Sequence, residues 1–519
     1  MCRTFGVISL DTRSAMTLLL VAGMAFASEP KPATRSVQFA INDAQGQPVP
    51  CRIHLVGQSG KPIRAPGQPF WHDHFVCSGR VVIPVGPGQY RYEIERGPEY
   101  RRLEGTVDVA GSRDEVVTLE LRRLADLASE GWYSGDLHIH RPVEDMPLLM
   151  RAEDLHVAPV ITWWNQTNPW KERNPPARLL ESVDGNRFYH VMAGEDERGG
   201  GALLFFHLER PLEITRASRE YPSAMKFVNQ ARRRDPRVWV DIEKPFWWDV
   251  PIWLASGQAD SIGIANNHMC RSQMLVNEAW GRPRDAKRLP DPLGNGYWSQ
   301  EIYYHILNCG IHIPPSAGSA SGVLPNPVGY DRVYVHVDGP MDYAQWWEGL
   351  KAGRLFVTNG PLLLCKANGE FPGHVFKGEA GHALDLKLEL KLITSDRVPR
   401  IEIIKDGLVD STMDMPDSSS HEASARVRFT ESGWFLVRAI AENPKTFRFA
   451  STAPFYVELG QHKRRISRGS VQFFLDWLNE REHQLRSALT DAVQLREVLA
   501  FHEEAMRYWR DLASQANAD

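Results

Sequence analysis

The chain has 519 residues, of which 43% are hydrophobic, and 60 basic residues nearly balance 64 acidic ones. That length is enough for more than one buried core. A near-neutral balance without a basic stripe excludes a nucleic-acid binder that works by displacing phosphate counterions.

The first predicted element is an export signal. Arg13 precedes the apolar run "AMTLLLVAGMAFA", which closes on Ala25-Phe26-Ala27, the small-x-small pattern of a cleavage site, so residues 1–27 are expected to be removed. Cys2 lies before that run, not after it, so it is not a lipoprotein cysteine. No later stretch has the length and apolarity of a membrane span. The mature protein is therefore expected to be secreted or periplasmic, with no membrane association after signal removal. Export permits disulfides. Of the five cysteines left after cleavage, Cys51 and Cys77 fall in one small β domain and are candidates to pair.

Between about 36 and 122, short alternating runs ("SVQFAIND", "VPCRIHLVG", "RVVIPVG", "QYRYEIERG") are separated by turn residues, which predicts a small β-sandwich. His54, His72 and His74 of this segment read as surface histidines. The stretch "DAQGQPVPCRIHL" resembles the opening of carboxypeptidase-regulatory-like accessory domains, which implies support or substrate presentation. From about 131 to 360, apolar strand-like runs ("PVITWW", "FYHVMAGE", "VWVDIEKP", "SIGIANN") alternate with helical stretches, the pattern of βα units around a parallel sheet or barrel. Chemistry in such folds collects at the C-terminal ends of strands. Alternation returns over 361–458, predicting a second β-sandwich. The tail, 466–515, repeats Phe474, Leu478, Leu485, Leu489, Val498, Leu499, Met506 and Trp509 at helical spacing, a helix pair to pack on the body.

The chemistry-bearing stretch is "GWYSGDLHIH". In an extended strand Asp136, His138 and His140 share one face, and two imidazoles so placed suit Zn, Mn or Fe in the divalent state. This stretch resembles the first motif of the PHP (polymerase and histidinol phosphatase) superfamily, in its exported CehA/McbA-like metallohydrolase branch. "RVYVHVDGPMDYAQWWEGLKAGRLFVTNGPLL" is similar to that branch's closing segment. The resemblance implies a distorted β/α barrel over 131–360, divalent metal ions, and hydrolysis of esters, carbamates or phosphoesters. The expected fold is therefore multidomain α/β: a distorted PHP-like β/α barrel flanked by two small β-sandwiches, with a C-terminal helical tail.

The departures are as informative as the matches. The family's T-D-H-N reads Thr162-Trp163-Trp164-Asn165 here; its Gly-His reads Gly201-Ala202; its His-Pro reads Lys244-Pro245; its closing S-D-x-H reads Ser319-Ala320-Ser321-Gly322. The glycine-x-glutamate step survives as "AGEDER" and offers Glu195 as a carboxylate ligand. His138, His140 and Glu195, completed by His268 and Asp136, are the expected metal ligands for one or two ions. An ion so held lowers the pKa of its water toward neutrality. Glu243 is a further ligand or proton acceptor. Lys244 is an electrostatic clamp or acid, or an ion-pair partner of Asp241 or Asp249 that replaces a lost metal's charge; both readings are favoured over a carboxylated lysine bridging two metals, as in amidohydrolase barrels. Arg198 is a candidate to stabilise the oxyanion. Trp163, Trp164 and Trp247, with Asn267 and Arg271, are candidates to contact a small-molecule or carbohydrate substrate, while other tryptophans of these segments are expected in the core. A non-catalytic carbohydrate- or ligand-binding protein on a degenerate barrel is the alternative.

Overall fold

A computed structural model describes residues 35–110, 114–214, 216–461 and 464–519. The signal expected at 1–27 lies outside them. Among the described residues no helix is long and apolar enough to cross a membrane. The described chain is a multidomain α/β protein with several β-sheets and seven α-helices.

Period-two burial builds the N-terminal unit. Val81, Ile83 and Val85 alternate inward from the strand Arg80–Val85, and Tyr90, Tyr92 and Ile94 from the strand Gly88–Glu95. Two sheets result, one of three strands and one of five, and both face a core containing Phe39, Ile53 and Phe75. Cys51 and Cys77 are opposed across an antiparallel pair with their thiol sulfurs 4.0 Å apart. Of the histidines expected at the surface, only His72 is exposed. His54 and His74 are buried because both imidazoles turn onto Asp73, His54 Nδ1 at 3.3 Å and His74 Nδ1 at 2.9 Å.

The middle of the chain contributes the strands Trp132–Gly135, Val157–Trp164, Phe188–Arg198, Gly201–Phe206, Trp239–Ile242, Ser261–Ala265 and Pro315–Ala317, neighbours in that order. Most pairings are parallel, as the alternation predicts. The exception is a hairpin: Gly199 and Gly200 turn the chain back so that Gly201–Phe206 runs antiparallel to its neighbours on both sides. The two ends of the set are linked through the irregular stretch after Gly135. Leu137 N donates to Ala317 O (3.0 Å) and His140 N to Ser321 O (2.8 Å) on one side, while Ile161 N donates to Ile139 O (2.8 Å) on the other.

Beyond Arg332–His336 and Leu355–Thr358 the same sheet continues into Phe449–Thr452, Gly433–Ile440 and Arg400–Lys405. The segment expected as a separate second sandwich thus shares a sheet with the middle of the chain. Its other layer, Leu362–Ala367, Leu384–Ile393 and Ser420–Phe429, covers a core of Leu388, Ile403 and Phe435. The tail forms the helices Arg468–Ala488 and Ala492–Ser514. Each is capped by a side chain, Ser467 and Asp491, that accepts from free backbone N–H groups. Phe474, Trp477 and Trp509 enter the same core as the strands of the middle segment.

Glu99 closes the junction between the N-terminal unit and the middle segment. It is 1% exposed and accepts from Leu127 N (2.8 Å) and from the Tyr334 hydroxyl (3.1 Å). Burial, reinforced by the Asp154 charge, pushes its carboxyl from 4.5 up to about 7. A folded pKa above the unfolded one means that the native state holds the extra proton. The contribution is therefore complete below about pH 4.5 and is lost as pH rises through about 7. Glu99→Gln, which cannot ionise, is expected to gain on the parent by on the order of 2 kcal/mol between pH 5 and pH 8 in urea unfolding. A constant difference between the two across that range would refute this assignment.

Candidate metal centre

His138 and His140 follow the strand Trp132–Gly135, and Glu195 lies within Phe188–Arg198. Their approach depends on small residues in the closing stretch "SAGSASG". A Cβ on Gly318 would stand 2.4 Å from His138 Cβ, and one on Gly322 (φ +102°) 2.6 Å from the His140 carbonyl. The result is three ligating atoms facing one point. His138 Nε2 and His140 Nε2 are 3.0 Å apart, and Glu195 Oε2 is 3.5 Å and 3.2 Å from them. Ligands at zinc distances in a tetrahedral shell lie about 3.3 Å apart. Glu195 Oε2 is buried and accepts no well-formed hydrogen bond, so the oxygen that faces both imidazoles is the one left unsatisfied. The residues present therefore fit a divalent ion.

The electrostatics agree. Burial alone would depress the His138 imidazole, but Glu195 and Glu243 outweigh it and hold it up at about 10. Burial would raise Glu195, but the two imidazoles outweigh it and hold it down at about 2. These carboxylates are poised to receive positive charge. Only the His140 edge reaches solvent appreciably, with 10% side-chain exposure against 5% for His138 and 3% for Glu195.

Glu243 stands behind His138, not beside Glu195. His138 Nδ1 is 3.3 Å from Glu243 Oε1, the carboxylate–imidazole pairing that orients a ligand histidine and turns its Nε2 toward the metal. Glu243 also accepts from Trp247 Nε1 (2.8 Å), Asn267 Nδ2 (2.8 Å) and Lys244 Nζ, which is 2.5 Å from each oxygen. It is a positioning residue with no lone pair directed at the centre. Lys244 is thus paired with its own neighbour and with neither Asp241 nor Asp249. Asp241 accepts from the Ser261 and Ser316 hydroxyls, and Asp249 binds Arg481.

Other expected site residues lie elsewhere. Asp136 is turned away because the strand ends at Gly135. Its oxygens accept from Ser319 N (3.0 Å), His138 N (3.0 Å), Gly329 N (2.7 Å) and the Ser319 hydroxyl, and it lies outside the group of ligating atoms. His268 also lies outside that group; its Nδ1 donates to Asn277 O (2.9 Å), and burial, then the Lys244 charge, depresses it to about 3. Arg198 is on the strand face opposite Glu195, forked onto Asp196 and bonded to Pro222 O (2.7 Å). Arg271 binds Glu93 and Glu95 of the N-terminal unit. Asn267 spends its amide on Glu243.

The tryptophans mostly fill space. Trp163, 1% exposed, lies across Gly194, where a Cβ would come within 1.7 Å of the indole. Trp247, also 1% exposed, stacks on Trp280 with ring centres 5.0 Å apart. Only Trp164 stands at the centre, its ring 5.3 Å from that of His140. A residue not anticipated, Glu197, shares the Glu195 face. Burial, then the Glu195 charge, raises its carboxyl to about 8. Period two in "AGEDER" was the signal for it: 195 and 197 point one way, 196 and 198 the other.

His54, Asp73 and His74 form a second group whose ligating atoms lie within 4.8 Å of one another. Here the histidine is already satisfied, because Arg52 Nε donates to His54 Nε2 (3.1 Å) and leaves the Nδ1 proton for Asp73.

No protein-family model matches the sequence, and no curated relative does. Among solved structures, one similar chain is the CARDB domain of a Pyrococcus furiosus protein in complex with di-metal ions. It is 14% identical over 19% of this chain and 90% of that one, with a TM-score of 0.14, a level that bears on neither fold nor function here.

Proposed function

We propose that the chain is an exported, PHP-like, metal-dependent hydrolase of an ester, carbamate, amide or phosphoester, with a single divalent ion at His138, His140 and Glu195. The observation that carries this reading is the convergence of two imidazole Nε2 atoms and an otherwise unsatisfied carboxylate oxygen at about tetrahedral-edge separation. The barrel reading is supported by the stretch 137–140, which hydrogen-bonds to both ends of the strand set. When bound, the ion supplies Lewis acidity and an activated water. Glu243 holds the His138 proton on Nδ1, Lys244 balances the Glu243 charge, and Glu197 lies on the Glu195 face as the group able to carry a proton to or from a reacting atom. Two nitrogens and one oxygen suit Zn, Mn or Fe.

The test is metal content by plasma mass spectrometry alongside hydrolysis of ester, carbamate and phosphoester substrates. Near one equivalent of metal is expected, with turnover lost on chelation and regained on adding metal. Full turnover after complete demetallation would sink the proposal.

A second reading has its own observation. Trp164 leans on His140 while Trp163 and Trp247 are fully packed, an arrangement suited to an ion that serves structure or ligand binding without catalysis. Cobalt(II) substitution separates the two. A visible spectrum that shifts on adding azide indicates an open coordination position and favours catalysis; a spectrum unmoved by azide favours the closed site.

A further inference from the structure

Lys244 and Glu243 are 3% and 4% exposed, side by side behind the centre. The ammonium does not approach one oxygen of its partner but grips both, at 2.5 Å each. Its other face rests on the Trp247 ring, 4.6 Å from the centroid. This is the symmetric approach that a small cation makes to a bidentate carboxylate. The carboxylate concerned faces His138 Nδ1, so the Lys244 charge lies one residue removed from the metal ligands. A buried carboxylate with this set of donors needs a cation beside it, since unpaired burial is costly. The chain supplies that cation covalently.

His268 is the other group near this position. Its Nδ1 donates to Asn277 O, so its Nε2 lone pair is the free one, and its chain neighbour Asn267 donates to Glu243 Oε1 (2.8 Å).

Resting on the metal-centre reading above, we propose that the Lys244 ammonium occupies the seat of a second cation. It makes the centre a one-ion site, and removing its charge opens the seat to a second divalent ion held by Glu243 and His268. In this inference Lys244 sets metal number and takes no part in contacting substrate.

The experiment counts ions without reference to turnover. Full-length protein stripped of metal is titrated with manganese(II) or zinc(II) alone, freed of unbound ion by gel filtration, and analysed by plasma mass spectrometry, with circular dichroism to establish folding. The parent is expected to hold one equivalent. Lys244→Gln and Lys244→Met are expected to hold two, Lys244→Arg one, and Lys244→Gln/His268→Ala one again. Glutamine can still donate a hydrogen bond to Glu243, which guards against simple collapse of the pocket. A folded Lys244→Gln that stays at one equivalent overturns the inference while leaving the metal centre standing. A parent that takes up two equivalents at this pair of sites in millimolar metal overturns it as well, and requires no variant to fold. A parent that binds none overturns the metal-centre reading, and this inference falls with it.

Discussion

Glu195→Gln is expected to lower divalent-metal affinity by more than about 100-fold, because it removes a direct ligand where loss of an outer partner costs about 10–100-fold. The geometry makes this carboxylate hard to replace. Its Oε2 lies 3.2 Å and 3.5 Å from the two imidazole nitrogens and accepts no well-formed hydrogen bond. Glutamine in the same rotamer either turns a neutral, weaker oxygen to the ion or presents an amide N–H to it. Glu243→Gln is expected to fall in the 10–100-fold range, since it relaxes the hold on His138 Nδ1 without removing a ligand. Glu197→Gln is expected to retain full metal content. Competition against a calibrated chelator measures all three. An order in which Glu243 outranks Glu195, or Glu195→Gln within tenfold of the parent, would mean that the ion is held differently or not held at all.

That ranking also marks how much of the centre could be read from sequence. The H-x-H pair and the Glu195 step are local patterns, and the structure brings those three residues together. Extending strand alternation through residue 140 groups Asp136 with the histidines, but the strand stops at Gly135 and the backbone turns Asp136 onto Ser319 and Gly329. Alternation in the strand Phe188–Arg198 holds, and applied strictly it selects Glu197 over Arg198. Arg271 lay beyond any local reading, since its partner Glu93 is 178 positions away in another unit. The same holds for the sheet that runs from Leu355–Thr358 into Phe449–Thr452: both segments read correctly as strands, and nothing within either one announces its neighbour. Local periodicity specifies elements and faces; ion pairs and sheet joins between distant segments are decided by packing.

Arg481→Met is expected to be among the most destabilising single changes in the chain, on the order of 3–5 kcal/mol, because it strands buried carboxylates without their cation. Arg481 lies in the helix Arg468–Ala488, is 2% exposed, and donates to Asp249 (2.7 Å) and Glu220 (2.6 Å). Those two carboxylates press against the hairpin turn that follows Glu195. A Cβ on Gly199 would meet Glu220 at 2.1 Å, and one on Gly200 would meet Asp249 at 2.0 Å. The tail is thereby tied to the strand that carries Glu195, and a second tie runs from Trp509 Nε1 to Pro251 O (2.9 Å). Methionine keeps much of the packing and removes the charge, so the loss reports the ion pairs more than the volume. Lysine keeps the charge but cannot fork to both acceptors, and is expected to recover part of the stability. Because a single variant mixes lost attraction with the cost of bare carboxylates, the Asp249→Asn/Arg481→Met cycle is the sharper measurement. A double variant that loses clearly less than the sum of the two single losses indicates direct coupling. Additive losses, or an Arg481→Met penalty below about 1 kcal/mol in urea unfolding, would mean that the helix pair is held by its apolar face alone.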